Sequence, residues 1–280
     1  MLMKSIIFSV LMLFVSLSTF SQTVFEGEIN YRSFENHSKM VRKFSKGMSY
    51  NGARNVKVII KGNKMNILDE SLHLNVLLLP DEDCCIIYND LLKKGLKCSF
   101  SNYTLSYMSS FGPKCINSTQ SKEYSFEPTG ETGTFTGEKC KRYKGLTKLI
   151  VSNMEPSTVT SDVWCATKYK VDPIYQYYLN GLGVPGIAMK WTISSHAKVP
   201  IIGKMDTFVA TEVKSIIPRK VDDSEMQIPS GYELKETDSA FKMLKIYGDT
   251  KKYLKANNMY PADAESDTEV TYQIEESWDF

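Results

Sequence analysis

The chain has 280 residues, and its 34 basic and 32 acidic residues leave a formal net charge of only +2. The basic residues are scattered along the sequence, which argues against a nucleic-acid-binding protein. Apolar residues make up 42% of the chain, so it can bury the core of one large or two small domains.

The first 21 residues indicate export. Residues 1–4 carry one lysine, an apolar run covers 5–15, and small and polar residues dominate 16–21. This pattern is typical of a cleaved secretory signal peptide, with cleavage expected before Gln22. The apolar run is shorter than the roughly 20 residues that a membrane-spanning helix needs. We predict a periplasmic or secreted protein with no transmembrane segment once the signal has been removed.

Alternation of apolar and polar residues predicts strands along most of the mature chain. Phe25, Ile29 and Tyr31 alternate with charged and polar neighbours, which is the pattern of a half-buried strand. The same reasoning predicts a hairpin that turns at Gly62–Asn63. Further strands are predicted at 72–78, 139–151, 161–168, 187–193 and 205–217.

Three segments depart from this strand pattern. Residues 37–52 predict a polar and basic excursion, and 99–136, rich in Ser, Thr, Gly and Asn, predicts a long irregular connection. From residue 235 onward a helical rhythm precedes an acidic end, because 263–280 contains seven acidic residues and no basic one. Within that end, alternation predicts an added edge strand carrying Val270, Tyr272 and Ile274.

A glycine pattern at Gly181, Gly183 and Gly186 matches the G-x-G-x-x-G motif of dinucleotide-binding folds. Asp172–Pro173 predicts a helix start, Gly181 stands where a helix C-cap belongs, and a strand is predicted from Ile187. A dinucleotide site requires the reverse order, since the helix N-terminus must face the pyrophosphate. We therefore interpret the match as turn chemistry and predict no cofactor.

The cysteine count favours disulfide bonds. An even number in an exported chain is typical of bridges, and no C-x-x-C pair indicates a metal site. A hairpin between the strands at 139–151 and 161–168 would bring Cys140 near Cys165. By the same logic, Cys98 would pair with Cys85 or with Cys84, leaving the other for Cys115. The six cysteines are Cys84, Cys85, Cys98, Cys115, Cys140 and Cys165.

No catalytic motif stands out. His37, His73 and His196 lie in no metal-binding spacing and in no nucleophile motif. The run DEDCC at 81–85 can be interpreted as a cation site, although a charged turn after a proline explains it more simply. We predict that the protein is not an enzyme and has no metal site. A buried histidine–carboxylate pair facing a cleft would favour an enzyme instead.

Apolar strand faces raise the question of a ligand groove. A strongly curved sheet with one helix inside it can leave a concave apolar groove. The alternative is an ordinary core packed beneath that helix. The residues expected to line the groove are Tyr175, Tyr178, Met189, Trp191, Met205 and Val209.

Six strings taken together resemble a known family: FEGEINYRS, IIKGNKMNI, GEKCKRYKG, SDVWCATKY, GVPGIAMKW and VDDSEMQIPSGYEL. In this order, over about residues 24–234, they resemble a family of exported bacterial proteins of unknown function with a fold similar to the lipoprotein carriers LolA and LolB. The resemblance implies a curved antiparallel sheet, or partly open barrel, with a few helices across its concave side. LolA itself shields lipoprotein acyl chains in such a concavity. The six cysteines, the 99–136 segment and the acidic end depart from the carriers.

These observations predict a mainly β (α+β) protein in three parts: a signal peptide at 1–21, a LolA-like antiparallel β domain at 22–234, and a helical and acidic extension at 235–280. The predicted function is non-catalytic binding of a lipid, such as a lipoprotein acyl chain, or of another apolar ligand. The alternative is a structural or protein-interaction component of the cell envelope that binds an envelope protein and no small molecule.

The predicted bridge between Cys140 and Cys165 can be tested on exported protein. Non-reducing peptide mapping should recover the two residues in one disulfide-linked peptide pair. Recovery of both as free thiols from periplasmic material would contradict the pairing.

Overall fold

The computed structural model describes residues 23–44, 51–101, 120–151, 155–179, 183–199, 203–237 and 240–260. This part of the chain is mainly β, and most of its strands belong to one large curved sheet that does not close into a barrel. The predicted fold class is confirmed at this level.

The strands are β1 (Thr23–Val24), β2 (Gly27–His37), β3 (Gly52–Lys61), β4 (Lys64–Asp69), β5 (Leu74–Leu79), β6 (Cys84–Asn89), β7 (Lys94–Cys98), β8 (Gln120–Phe135), β9 (Glu138–Val151), β10 (Ser157–Ala166), β11 (Tyr169–Lys170), β12 (Ile187–Val199), β13 (Gly203–Pro218) and β14 (Glu233–Glu236). The α-helices are α1 (Lys39–Phe44), α2 (Tyr175–Tyr178) and α3 (Ala240–Ala256).

The large sheet has twelve strands in the order β14-β7-β6-β5-β4-β3-β2-β13-β12-β10-β9-β8. Neighbouring strands are antiparallel, except that β14 runs parallel to β7 at one edge. The sheet is therefore mixed rather than wholly antiparallel as predicted. The long connection from Pro218 to Glu233 lets the chain enter this edge in the direction of β7, which a tight hairpin could not do. β1 and β11 form a separate parallel pair.

Side-chain alternation gives the large sheet two different faces. We call the face that carries Ile29 and Tyr31 the inner face. It bears the larger hydrophobic core, which includes residues of α2 and α3. The opposite, outer face is covered over β3–β6 by Val221 and Met226 from the connection that leads to β14. Burial on both sides explains why β5 and β6 are buried at every position.

Most predicted strands are confirmed, and two segments differ from expectation. The hairpin β3–β4 turns at Gly62 with φ of 56°, as the turn signal predicted. Residues 120–135, expected to be irregular, form the long strand β8, because β9 provides a backbone partner along it. His37 ends β2, and α1 follows within the predicted excursion. Gly181 lies outside the described residues.

The five described cysteines lie on the two predicted hairpins. Cys85 of β6 lies directly opposite Cys98 of β7, and their side chains are hydrogen bonded. Cys165 of β10 lies opposite Lys141, the residue after Cys140. The five described cysteines are buried free thiols in this structure, and Cys115 lies outside the described residues. The two bridges stay predictions.

The helix α3 packs against β6 and β7 at the inner face. Its Ile246 and Leu254 are buried in the larger core, and the amide of Asn89 donates a hydrogen bond of 2.9 Å to the Thr250 hydroxyl. The predicted helical rhythm in this segment is therefore confirmed, because its apolar stripe has a sheet face to cover.

The connection over the outer face depends on Glu225. Its carboxylate accepts hydrogen bonds from both Arg219 Nη atoms at 2.7 and 2.6 Å and from the Asp222 backbone N–H at 3.1 Å. The hydrogen bonds from Arg219 lower the pKa of Glu225 to about 2. These contacts hold Val221 and Met226 against the sheet.

We predict that Glu225→Gln lowers the free energy of unfolding at pH 7 by about 1 kcal/mol, the upper end for a surface ion pair. Because the folded pKa lies below the unfolded one, this contribution is complete above about pH 4.5 and is lost as the pH falls toward 2. Urea unfolding at a series of pH values measures the difference. Glu70→Gln, at an exposed carboxylate, controls for the lost charge. A deficit that stays constant from pH 7 to pH 2 would contradict the assignment.

Candidate functional site

Four aromatic side chains meet on the inner face, and we call them the aromatic cluster: Tyr31, Tyr175, Tyr178 and Trp191. The Tyr31 ring stacks on Tyr178 with centroids 5.1 Å apart and meets Trp191 edge to face at the same distance. Tyr178 and Trp191 complete the contact at 5.9 Å. The cluster joins α2 to strands β2 and β12.

Polar contacts fix α2, which is too short to be stable by itself. Asp172 Oδ1 accepts a hydrogen bond from the Ile174 backbone N–H at 2.9 Å, as an N-terminal cap does. The Gln176 amide donates to the Val184 carbonyl at 3.0 Å and accepts from the Gly183 N–H at 2.9 Å. The helix and the glycine loop therefore hold each other in place.

The hydroxyl groups of Tyr31 and Tyr175 lie 2.5 Å apart. The Ala188 backbone N–H donates a second hydrogen bond to the Tyr175 hydroxyl at 3.2 Å. Burial raises the pKa of both tyrosines well above the ordinary value, so both hydroxyls are neutral at physiological pH. They fix α2 on the sheet as hydrogen-bonding groups rather than as charges.

Four polar side chains continue the inner face beyond the aromatic cluster, and we call them the ionic cluster: Glu35, His37, Arg54 and Asp69. Arg54 Nη1 donates to Glu35 Oε1 at 2.6 Å, and Arg54 Nε donates to Asp69 Oδ2 at 3.0 Å. The other oxygen of Asp69 accepts two backbone N–H groups at 3.0 Å. Both carboxylates thus have partners on each oxygen, which a buried charge requires.

His37 and Glu35 form a buried histidine–carboxylate pair, which the enzyme hypothesis requires to face a cleft. Its Nε2 lies 2.8 Å from Glu35 Oε2, and its Nδ1 lies 3.2 Å from Thr207 Oγ1. Its side chain is 6% exposed. The Glu35 carboxylate at one ring nitrogen and the Thr207 hydroxyl at the other orient this histidine between them.

Glu35 is ionised although it is buried. Burial raises the pKa of its carboxyl, but the charge of Arg54 and the hydrogen bond from His37 outweigh burial and lower the pKa below its ordinary value. Glu35 therefore keeps its negative charge at neutral pH.

The two clusters are neighbours on one face of the sheet. Arg54 lies opposite Ser33, the residue between Tyr31 and Glu35 on the inner-face side of β2, and Tyr31 stacks on Tyr178. Burial raises the pKa of Tyr178 well above its ordinary value, so its hydroxyl is neutral beside these charges. Between the clusters on β2, the Ser33 hydroxyl lies 2.7 Å from that of Thr211.

The structure brings together three of the six predicted groove residues, Tyr175, Tyr178 and Trp191. Met189 is buried in the same core at 1% exposure. Val209 and Met205 follow along β13 on the inner face, where both are half-buried. Val209 lies opposite Glu35 and Ile193, whereas Met205 lies opposite Ala197, farther from the aromatic cluster.

Sequence reasoning missed the ionic cluster and assigned no role to Tyr31. The available signal was the alternation along β2, which continues from Ile29 and Tyr31 to Glu35 and His37 on the same face. A carboxylate on a core-facing position of a strand predicts a buried cation nearby.

Within the described ranges, no three histidine, cysteine or carboxylate side chains are grouped so that they could hold a metal ion. In the same part of the chain, no helix is both long and apolar enough to span a bilayer.

Comparison with known proteins found no relative: no protein-family model and no curated protein matches the chain significantly. The class that the coordinates define is a mainly β protein with an unclosed mixed sheet and a buried ionic cluster.

We predict that Arg54→Met lowers the free energy of unfolding by about 3–5 kcal/mol, because it leaves two buried carboxylates without their cation. Urea unfolding followed by circular dichroism measures the loss. Lys57→Met on the same strand, where the ammonium lies 3.7 Å from Glu28 at the surface, should cost less than about 1 kcal/mol.

A double-mutant cycle tests the cause. In the Arg54→Met background, Glu35→Gln should cost less than in the wild-type chain, since it removes an unpaired charge. Equal costs in both backgrounds would show that Arg54 acts through packing alone.

Proposed function

We propose that the protein is an exported, non-catalytic binding module with a LolA-like sheet, which holds a lipid or another apolar ligand against its inner face. A lipoprotein acyl chain is the ligand class that the resemblance suggests. The periplasm or the extracellular space is its proposed location, after cleavage before Gln22.

One observation carries this proposal: apolar side chains of the inner face are half-buried beside a fully buried core. Met189 and Tyr175 are almost completely covered, whereas Tyr178, Met205 and Val209 keep part of their surface in contact with solvent. An acyl chain that covers such surface gains roughly 25 cal/mol for each Å² removed from water.

The ionic cluster supports an amphipathic ligand. Val209 lies directly opposite Glu35 across the β13–β2 pair, so half-buried apolar surface and fixed charges are adjacent. Apolar sites with a few placed polar groups bind the ligand body by burial and orient its polar end. The ligand's alkyl part would contact Val209 and Met205, and its head group would face the ionic cluster.

The non-catalytic part of the proposal rests on the sequence, in which no histidine lies in a nucleophile motif or a metal-binding spacing.

A second candidate is a structural or protein-interaction component of the envelope. It is favoured by the extent of the larger core, in which buried side chains from ten strands of the large sheet are joined by Ile246 and Leu254 of α3 on the inner face. In this case the concavity is filled by the protein's own side chains, and the half-buried apolar surface belongs to a protein interface.

The two candidate functions differ in whether a lipid copurifies with the exported protein. We predict that native mass spectrometry and solvent extraction of gently purified protein recover a stoichiometric lipid. Val209→Asp should reduce lipid occupancy at least about tenfold, because a carboxylate against an alkyl chain costs more than 1.4 kcal/mol. Ile217→Asp, on the exposed part of the same strand, is the matched control and should leave occupancy unchanged.

A clean apo mass across several preparations of folded protein would contradict the carrier proposal and favour the envelope component. Equal lipid loss in both aspartate variants would place any lipid elsewhere than beside Val209.

A further inference from the structure

The Thr207 hydroxyl lies at the boundary between the ionic cluster and the half-buried apolar surface of the inner face. Along β13, Thr207 follows Met205 and precedes Val209 on the same face, and all three are half-buried. Across the sheet, Thr207 faces His37 of β2 on one side and Ser195 of β12 on the other. A ligand whose alkyl part covers Val209 and Met205 would therefore pass over this hydroxyl.

A chain of hydrogen bonds begins at Glu35 and ends at this hydroxyl. His37 Nε2 lies 2.8 Å from Glu35 Oε2, and His37 Nδ1 lies 3.2 Å from Thr207 Oγ1. Burial raises the pKa of Glu35, but Arg54 and His37 together lower it below its ordinary value, so the carboxylate is ionised. An ionised carboxylate only accepts hydrogen bonds, and the proton between Glu35 and His37 therefore belongs to Nε2.

The proton on Nε2 determines how the Thr207 hydroxyl is oriented. A neutral imidazole has one protonated nitrogen and one that accepts, so Nδ1 of His37 is the acceptor. Thr207 then donates its only hydroxyl proton to Nδ1, and its oxygen retains lone pairs alone. Toward the half-buried surface, Thr207 presents an acceptor and no donor.

We propose that the Thr207 oxygen accepts a hydrogen bond from the ligand, and that the protein selects apolar ligands whose polar end carries a donor, such as a hydroxyl or an amide N–H. This inference rests on the proposed function, because it concerns the polar end of a ligand held on the inner face. The Ser195 hydroxyl opposite Thr207 can turn to donate or to accept, so it does not discriminate.

A free fatty acid fits this position less well than a long-chain alcohol or an acyl amide. Its ionised carboxylate would bring lone pairs against those of Thr207 and negative charge toward Glu35. Neither repulsion arises with a neutral donor. The orientation of one hydroxyl thus distinguishes ligands that share the same alkyl chain.

The tautomer of His37 is measured without any ligand, by nitrogen-15 NMR of the full mature chain at pH 8. The chain has three histidines, and His73→Gln and His196→Gln identify the signals of the other two. We expect His37 in the Nε2–H form. The Nδ1–H form or a charged ring would overturn the inference and would leave the proposed lipid binding untouched.

Ligand preference is measured by titration calorimetry at pH 8, with the full mature chain freed of copurified lipid. The probes 1-decanol and decyl methyl ether share an alkyl chain and an oxygen acceptor, but only the alcohol has a donor. We expect decanol to bind about fivefold more tightly than the ether and at least about tenfold more tightly than decanoate. Equal affinities for decanol and the ether would overturn this inference alone. Binding of none of the three would overturn the proposed function as well.

Glu35→Gln tests whether the hydrogen-bond chain causes the preference. The Gln oxygen can replace the carboxylate oxygen that accepts from Arg54, which directs its NH2 group at His37 Nε2 and places the ring proton on Nδ1. Thr207 would then present its own proton to the ligand. The affinity ratio of decanol to decanoate should fall at least about tenfold, and His37 should change to the Nδ1–H form. An unchanged tautomer in the folded variant would overturn the inference.

Thr207→Val removes the hydroxyl at nearly constant volume and should abolish the preference for decanol over the ether, whereas Thr207→Ser should retain it. The matched control is Thr192→Val, because Thr192 is also half-buried but lies on the outer face of β12. Circular dichroism first confirms that each variant is folded. Loss of the preference in both valine variants, or in neither, would overturn the inference.

Discussion

The structure depends on side-chain alternation along β2, a central strand with neighbours on both sides. Ile29, Tyr31, Ser33, Glu35 and His37 all point to the inner face, because successive side chains of a strand point to opposite faces. Along this row the side chains are first aliphatic, then aromatic, then hydroxyl-bearing, and finally members of the ionic cluster. The strand thus fixes where the apolar core ends and where buried polar groups begin. The neighbouring strands place side chains of the same character opposite it: Val58 faces Ile29, Thr211 faces Ser33, and Thr207 faces His37.

The ionic cluster shows how the fold tolerates charge at a core-facing position. Removing a carboxylate from water costs several kcal/mol, and Glu35 recovers this through Arg54 and His37, which is why the pKa of Glu35 is lowered despite burial. Asp69 closes the arrangement from β4, so three consecutive strands of the sheet share one guanidinium. Such a network adds little net stability. Its main effect is to fix the strand register, because a slip of one residue in β3 would move Arg54 to the outer face. A fixed register at this end in turn fixes the half-buried surface around Val209.

Much of the fold could be predicted from the sequence, because a strand with one buried face shows its period directly. The hairpin at Gly62 and the strands β9, β10, β12 and β13 followed from this pattern. The strand β8 did not, since Ser, Thr, Gly and Glu dominate its sequence, and pairing with β9 is what makes it a strand. The ionic cluster was hidden for another reason. Glu35, Arg54 and Asp69 are far apart in sequence, and only the β2–β3–β4 register brings them together.

The glycine stretch that resembled a nucleotide motif shows how packing can imitate a functional signature. Gly183 has φ of 71°, a left-handed conformation that favours glycine, and its N–H donates to Gln176 of α2. Gly186 lies against the end of β10, where an added Cβ would stand 2.2 Å from the Ala166 carbonyl oxygen. Both glycines are therefore required by the loop that holds α2 against the sheet. Because α2 contributes Tyr175 and Tyr178, the loop positions the aromatic cluster, and through it the boundary between the closed core and the half-buried surface proposed to meet a ligand.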